Sequence, residues 1–186
     1  MLLIAALTEL GICWIGWSLA FVKPRKQAAG QQEVASATVS RWGIVLVMLG
    51  FAFAWAYVRP DGFQKSTLEL VVSMVLGPPS VALAWAATRR LGKQWRYKAA
   101  LNVDHELIQT GPYRWLRHPI YASMLGMLLS TLAAWTWWPM ALGSVIAFLA
   151  GTEVRIRAEE SLLAEHFGAS FTAYRKRTYA FLPFIR

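Results

Sequence analysis

Cysteine, histidine and acidic residues are all scarce in this sequence. The only cysteine, Cys13, lies inside an apolar run, so an intramolecular disulfide and a cysteine-based metal site are both excluded. We interpret Cys13 as a small side chain that is buried or faces lipid. The three histidines, at positions 105, 118 and 166, lack the spacing of a metal site, and we therefore predict no bound metal.

Motifs typical of soluble enzymes and of nucleic-acid-binding proteins are also missing. The sequence contains no glycine-rich phosphate loop and no dinucleotide fingerprint. No RNA- or DNA-binding motif accompanies the formal net charge of +9, so we expect no nucleic acid partner. We attribute the basic residues to membrane topology and to contacts with anionic lipids. The apolar N-terminus lacks a basic leader and a small-residue cleavage site, which predicts a retained helix.

Apolar residues, in contrast, are abundant. They make up 56% of the chain, the mean hydropathy is +0.39, and many of the 10 tryptophans stand near the ends of apolar runs, as they do at membrane interfaces. The runs cover residues 2–22, 42–58, 68–87, 119–135 and 139–166. This pattern predicts an all-α integral membrane protein with about five transmembrane helices.

Three of these runs have unusual features. Glu9 interrupts the first, where an acid would make a polar contact near the outer interface or line a substrate pocket. Gly77-Pro78-Pro79 should kink or break the third helix. The fifth helix gains charges after residue 150, so at roughly 28 residues it should protrude from the membrane. The tail from Phe167 onward is predicted to form a short amphipathic element along the membrane surface.

The distribution of basic residues predicts an orientation. One side of the membrane would hold residues 23–41, residues 88–118 and the tail after 151, which together carry 17 of the 19 lysines and arginines. Only Arg59 and Lys65 fall on the other side. The positive-inside rule then places the N-terminus outside and the C-terminus in the cytoplasm.

Two polar clusters lie on the predicted cytoplasmic side. Residues 105–121 contain two His, two Tyr, two Arg and a Gly-Pro turn, which suit a polar small molecule, although basic loops with interfacial aromatics are common at membranes. The second cluster is 155–160, in which Arg155 and Glu159 share a helix face. That pair is either a solvated salt bridge of little energetic value or a carboxylate-binding arginine oriented by a glutamate.

These clusters resemble the isoprenylcysteine carboxyl methyltransferase family, a group of membrane methyltransferases related to phospholipid methyltransferases. The family pattern His-x-Leu-(Val/Ile)-x-x-Gly-x-Tyr, followed by Arg-His-Pro-x-Tyr, matches residues 105–113 and 117–121. Further matches are Arg155, the Glu159-Glu160 pair, and several residues of the tail: Phe167, Gly168, Tyr174, Leu182, Pro183, Phe184 and Ile185. The resemblance covers roughly residues 100–186 and departs from the pattern at Ala122, Phe171 and 177–179.

The resemblance implies S-adenosylmethionine as methyl donor, and it implies roles for ten residues. Arg155 and Glu159 match the pair at the substrate carboxylate and are the expected catalytic residues. The expected cofactor-binding residues are His105, Leu107, Ile108, Gly111, Tyr113, His118, Tyr121 and Glu160. The chain would accordingly consist of transmembrane helices 1–3 with their loops (1–98) and a methyltransferase core with cofactor loop, helical hairpin and tail (99–186).

The expected activity is methylation of a carboxylate on a lipophilic substrate, such as a prenylcysteine, that enters from the bilayer. A phospholipid or a thiol is an alternative acceptor. An NADPH-dependent reductase of the sterol-reductase type is an alternative enzyme class, although such proteins are usually longer. A catalytically idle binding or structural membrane protein is the third possibility, and the sequence leaves the acceptor and the oligomeric state open.

Overall fold

The protein is a bundle of helices with one very small sheet. The computed structural model describes residues 1–22, 33–36, 39–56, 58, 60–92, 100–102 and 106–182. The α-helices in these ranges are α1 (Leu2–Leu19), α2 (Ser40–Trp55), α3 (Thr67–Leu91), α4 (Pro119–Trp135), α5 (Trp138–Phe167) and α6 (Ala169–Lys176). Strands β1 (Glu33–Ser36) and β2 (Ala100–Asn102) pair in antiparallel fashion, and a 3₁₀ turn, Gly111–Arg114, precedes α4.

Three of the helices are long and apolar enough to cross a membrane, as expected of an integral membrane protein. They are α1, α3 and α5, whereas α2 and α4 are shorter apolar helices. The predicted bounds of α4 are confirmed, and α5 has 30 residues, close to the predicted length. The amphipathic element predicted in the tail corresponds to α6. The two strands were not predicted.

A kink or break was predicted at Gly77-Pro78-Pro79, and helix α3 runs through Pro78 and Pro79 without a break. Its start is fixed by a capping box in which Ser66 and Glu69 satisfy each other's backbone amides. Beyond the prolines, the hydroxyl of Ser80 donates to the Leu76 carbonyl at 2.7 Å. Membrane helices tolerate proline where side chains and neighbouring helices satisfy the backbone.

Small residues allow α2 and α5 to approach backbone to backbone. Gly43 and Gly50 on α2 lie against Gly151 and Ser144 on α5, and the Ser144 hydroxyl donates to the Gly50 carbonyl at 2.7 Å. Because Gly43 meets the later residue and Gly50 the earlier one, the two helices are antiparallel. Close approach of this kind is how helices associate where lipid removes the hydrophobic drive.

Hydroxyl and indole groups join α1, α3 and α4 in a similar way. Ser130 on α4 donates to the Ser73 carbonyl on α3 at 2.9 Å. Two tryptophans of α1 reach α4, where Trp14 donates to Thr131 at 3.0 Å and Trp17 donates to Ser123 at 3.3 Å. These bonds hold α4 in place, and with it the polar residues at its start.

The acid and the thiol of α1 lie together at the other end of the bundle from the charged part of α5. Cys13 is buried, as predicted, and its Sγ donates to Glu9 Oε1 at 4.0 Å. At the same end, Lys65 forms an ion pair with Glu69 at 2.8 Å and donates to the Leu132 carbonyl at 3.1 Å. Lys65 is therefore paired at this end, whereas Oε2 of Glu9 is buried without a hydrogen-bond partner among the described residues.

The backbone contact between α2 and α5 makes a prediction about stability. A Cβ on Gly151 would lie 2.6 Å from the Gly43 carbonyl oxygen and 2.7 Å from the Val47 amide nitrogen, both of them rigid backbone atoms. Gly151→Ala should therefore destabilise the protein by about 1–3 kcal/mol, a typical cost of overpacking. Thermal unfolding in detergent measures this.

Gly11→Ala on α1 is the matched control, because nothing lies within 4 Å of its added Cβ. Alanine is favoured over glycine in a helix by about 1 kcal/mol, so this variant should melt at or slightly above the wild-type temperature. Equal melting temperatures for the two variants would contradict the packing argument.

Candidate functional site

Two charged residues of α5, Arg155 and Glu160, are buried and face the start of α4. Arg155 is only 7% exposed and Glu160 only 8%. The interpretation of Arg155 and Glu159 as a solvated surface salt bridge is therefore wrong. Burying charges of this kind is costly unless they are paired and hydrogen-bonded, so their partners define the site.

Arg155, Tyr121 and Glu159 form a closed set of hydrogen bonds. Nε of Arg155 donates to the Tyr121 hydroxyl at 2.5 Å, and that hydroxyl donates to Glu159 Oε1 at 2.5 Å. Nη2 of Arg155 donates to the same carboxylate oxygen at 3.1 Å. Arg155 and Glu159 are one helical turn apart on the same face of α5, and the hydroxyl of Tyr121 from α4 bridges them. The guanidinium is thus held on two sides.

His118 lies between the two carboxylates of α5. Its Nδ1 is 3.4 Å from Glu159 Oε2, and its Nε2 is 3.4 Å from Glu160 Oε1. Burial by itself would lower the pKa of His118, but the adjacent carboxylates of Glu159 and Glu160 outweigh it and raise the pKa above the ordinary value. His118 stands immediately before α4, whose first residue is Pro119, so the ring is fixed where the helix begins.

Arg117 is a site residue that sequence reasoning did not single out. Its Nε donates to Glu160 Oε1 at 2.6 Å. Its Nη1 donates to the backbone carbonyls of Thr178 and, at 3.3 Å, Arg175. Arg175 itself places Nε 3.3 Å from Glu160 Oε2. The signal was present in the Arg-His-Pro triplet, but a basic residue beside a membrane helix was counted as a topology signal.

The tail returns to the site after α6 and pairs with the residues before α4. The amides of Arg117 and His118 donate to the carbonyls of Tyr179 and Ala180, both at 2.8 Å, and the Tyr179 amide donates to Trp115 at 3.0 Å. Ala180 and Phe181 then enter the hydrophobic core. This short parallel pairing fixes the backbone of His118, which explains how its side chain is aimed at α5.

The residues expected to contact the cofactor through their backbone groups lie in the segment that leads to the 3₁₀ turn. Leu107 and Ile108 are half-buried there. Gly111 opens the turn with φ +62°, and an added Cβ would lie 3.0 Å from Arg90, so both conformation and space favour glycine. His105 lies outside the described residues.

Two tyrosines join this turn to α6. The Tyr174 hydroxyl donates to the Tyr113 carbonyl at 2.7 Å. Burial raises the pKa of Tyr113 and raises the pKa of Tyr174 to about 12. Both side chains are therefore neutral near pH 7 and act as hydrogen-bonding groups rather than charges.

The structure brings the expected side chains together in two adjoining parts. Five of them form one ionic network: His118, Tyr121, Arg155, Glu159 and Glu160. The other described ones, Leu107, Ile108, Gly111 and Tyr113, belong to the segment and turn linked to that network through α6. Their role toward a cofactor stays a prediction. Among the described residues, no group of three or more His, Cys, Asp and Glu side chains is arranged to hold a metal ion.

The sequence matches a known family over half of its length. Residues 71–165 match the model of the isoprenylcysteine carboxyl methyltransferase family. This match begins in α3, earlier than the motifs at 105–121. It contains all five residues of the ionic network but not the tail.

Proteins similar to this chain include methyltransferases and proteins named for metal resistance. The chain is 33% identical over 101 residues to protein-S-isoprenylcysteine O-methyltransferase of Saccharomyces cerevisiae, which covers 47% of this chain and 37% of the yeast enzyme. It is 29% identical over 151 residues to YpbQ, an uncharacterised protein of Bacillus subtilis, covering 80% and 89%. It is 30% identical over 146 residues to the cobalt-zinc-cadmium resistance protein CzcN of Cupriavidus metallidurans, covering 76% and 62%.

The role of Arg117 can be tested by stability. Arg117→Ala removes one partner of a buried pair whose side chains are only 3% and 10% exposed, and it leaves tail carbonyls without their donor. We expect a loss of about 3 kcal/mol, at the low end for a broken buried pair, because Glu160 keeps Arg175 and His118 nearby. Thermal unfolding, together with the rate of tryptic cleavage at Arg177, measures the effect.

Arg157→Ala is the matched control. Arg157 pairs with Glu153 at 2.6 Å, but the two side chains are 78% and 50% exposed, so the pair should contribute less than about 1 kcal/mol. If both variants lose the same stability, Arg117 does not hold the tail as we describe.

The environment of His118 predicts a dependence of stability on pH. Since its pKa is raised in the folded protein, the folded state holds this proton more tightly than the unfolded chain. The stabilisation is complete below the unfolded value of about 6.5 and is lost as the pH rises through the higher folded value. The stability advantage of wild type over His118→Gln should therefore shrink as the pH rises above about 6.5. Melting curves that stay parallel over this range would contradict the assignment.

Proposed function

Since the chain belongs to the isoprenylcysteine carboxyl methyltransferase family, we propose that it transfers a methyl group from S-adenosylmethionine to a carboxylate on a lipophilic acceptor, such as a prenylcysteine. The observation that carries this proposal is the buried guanidinium of Arg155, held by Tyr121 and Glu159 at the start of α4. The chain spans only 37% of the yeast enzyme, so the acceptor is proposed from the site.

Arg155 is the residue we propose to bind the acceptor carboxylate. A planar guanidinium recognises a carboxylate through paired N–H donors, and the strength of such bonds rises away from water. Glu159 and Tyr121 orient the guanidinium and share its charge. The shared charge means that Arg155 holds the acceptor without fully neutralising its nucleophilic oxygen.

The residues near this network fit the methyl donor. His118 is buried beside Tyr121, with its Nε2 3.4 Å from Glu160 Oε1. Gly111 begins the 3₁₀ turn with φ +62°, a backbone conformation that favours glycine. Backbone groups near Leu107 and Ile108 would hold the adenosine, and Glu160 would lie near the amino group. Side-chain contacts would come from His105, Tyr113, His118 and Tyr121.

The protein's own part in the reaction is alignment and exclusion of water. When bound, S-adenosylmethionine supplies a methyl group already activated by the positive sulfonium. An acceptor carboxylate has a pKa of about 4, so no residue has to act as a general base at pH 7. Ile156 and Phe181, both buried beside Tyr121 in the apolar core, keep water away from Arg155. Holding the acceptor in line is then the main contribution to rate.

We further propose that α2 and α4 also cross the membrane, which gives five spans. With the N-terminus outside, the ionic network lies at the cytoplasmic face and Lys65 lies at the opposite face. The acceptor would enter from the bilayer, because the network stands where α4 begins. In this arrangement, residues 1–98 form the supporting helices and residues 99–186 form the methyltransferase core.

Arg155→Ala tests the assignment of the acceptor. We expect transfer to N-acetyl-S-farnesylcysteine to fall by about 100-fold or more, because the nucleophile loses its positioning group. Calorimetric titration with S-adenosylhomocysteine should give an affinity close to that of the wild type. Arg157 is an exposed arginine two residues further along α5, on another face of the helix, and Arg157→Ala should retain normal transfer.

The same titration separates the alternatives. If wild type transfers methyl groups to a phospholipid or a small thiol and Arg155→Ala does so normally, the carboxylate assignment is wrong. If wild type binds NADPH and not S-adenosylhomocysteine, the protein is a reductase. If it binds neither while folded, the methyltransferase proposal fails altogether.

A further inference from the structure

Gly43 on α2 lies directly against the side chain of Arg155. A Cβ added to Gly43 would be 2.5 Å from Cγ of Arg155, 2.8 Å from the Gly151 carbonyl oxygen and 3.3 Å from the Arg155 amide nitrogen. Real Cβ atoms essentially never approach another atom as closely as 2.5 Å. The aliphatic stem of Arg155 therefore lies in space that exists only because residue 43 has no side chain.

This contact is the more notable because Gly43 lies outside the part of the chain that carries the family match. That match begins at residue 71, and the predicted methyltransferase core begins at residue 99. None of the ten residues expected to act in the site belongs to α1, α2 or α3. The contact between Gly43 and Arg155 gives α2 a direct connection to the proposed acceptor site.

A second glycine of α2 shows that packing and positioning are separable. An added Cβ at Gly50 would be 2.9 Å from the Ser144 carbonyl oxygen, 3.0 Å from the Phe148 amide nitrogen and 3.1 Å from the Phe148 Cβ. Gly50 therefore meets α5 in the same interface and with comparable tightness to its backbone. Its neighbours, however, are two turns and more before Arg155. Of these two glycines, only Gly43 contacts Arg155.

We propose that Gly43 is a positioning residue for Arg155 and, resting on the function proposed above, for the acceptor carboxylate. A methyl group at position 43 would force the stem of Arg155 into another rotamer or push α2 away from α5. Rotamers are discrete, so a changed torsion near the backbone displaces the distant guanidinium by ångströms. Nε would then leave the Tyr121 hydroxyl, which it now approaches to 2.5 Å.

The proposal makes a kinetic prediction for Gly43→Ala. With N-acetyl-S-farnesylcysteine as acceptor, its KM should rise by about tenfold or more, because a group misplaced by about 1 Å binds its target poorly. The affinity for S-adenosylhomocysteine, measured by calorimetry, should stay within about twofold of wild type, since Arg155 is not among the expected cofactor contacts. Gly50→Ala should lower the melting temperature to a similar extent while leaving the acceptor KM within about twofold.

A stability measurement tests the contact without any assay of activity. Arg155→Ala has no Cγ, so the 2.5 Å clash is absent in that background. Gly43→Ala should therefore lower the melting temperature less in Arg155→Ala than in wild type, whereas Gly50→Ala should lower it equally in both. Such a difference is expected only if residue 43 and the side chain of Arg155 compete for the same space.

The two measurements distinguish failure of this proposal from failure of the proposed function. If the melting shifts of Gly43→Ala and Arg155→Ala simply add, Gly43 does not position Arg155, whatever the protein catalyses. An equal rise of the acceptor KM in Gly43→Ala and Gly50→Ala would likewise reduce Gly43 to a packing residue. If the melting shifts are coupled but the wild type methylates no carboxylate, the positioning stands and the acceptor assignment falls.

Discussion

The constraint on which the rest of the site depends is a pair of neighbouring carboxylates on α5, of which Glu160 is buried and Glu159 is half-buried. Glu159 and Glu160 leave the helix about 100° apart, so each carboxylate has a partner of its own besides the shared His118. An unpaired charge in the interior would cost several kcal/mol, and the fold meets this constraint from three directions. Arg155 forms an ion pair with Glu159 on the same helix, and Arg117, just before α4, forms one with Glu160. His118 lies close to both carboxylates. The start of α4, the tail and α5 are consequently fixed relative to one another.

Elements set by a local pattern could be predicted from the sequence, and contacts between distant segments could not. Pro119 followed by an apolar run gives α4 its bounds, because proline suits a first helical turn. The spacing of Arg155 and Glu159 places them on one face for the same local reason. In contrast, the ion pair between Arg117 and Glu160 joins residues 43 apart in sequence, and nothing in the local pattern distinguishes Arg117 from a topology signal.

Of the kink or break predicted at Gly77-Pro78-Pro79, the break does not occur, and the surroundings of α3 explain why. In a soluble helix, each proline removes one backbone hydrogen bond and its ring crowds a carbonyl of the preceding turn, so the helix usually kinks or ends there. Helix α3 nevertheless continues through both prolines, within a bundle where Gly77 lies close to Cys13 and Ser130. A rule learned from soluble helices therefore overstates the effect of proline in a bundle that lipid surrounds. The two short strands were missed because neither is long enough to show an alternating pattern.

The supporting helices limit the site as much as they hold it. Glycine at positions 43 and 151 lets α2 approach α5 closely, and the stem of Arg155 lies against Gly43 while its Nε reaches Tyr121. A looser bundle would give the arginine more rotamers, and each extra rotamer would have to be lost again on binding the proposed acceptor. On the proposed function, close helix packing would lower the entropic cost of recognition. It also explains why small residues in α2, which carry no chemistry of their own, belong to the physical description of the site.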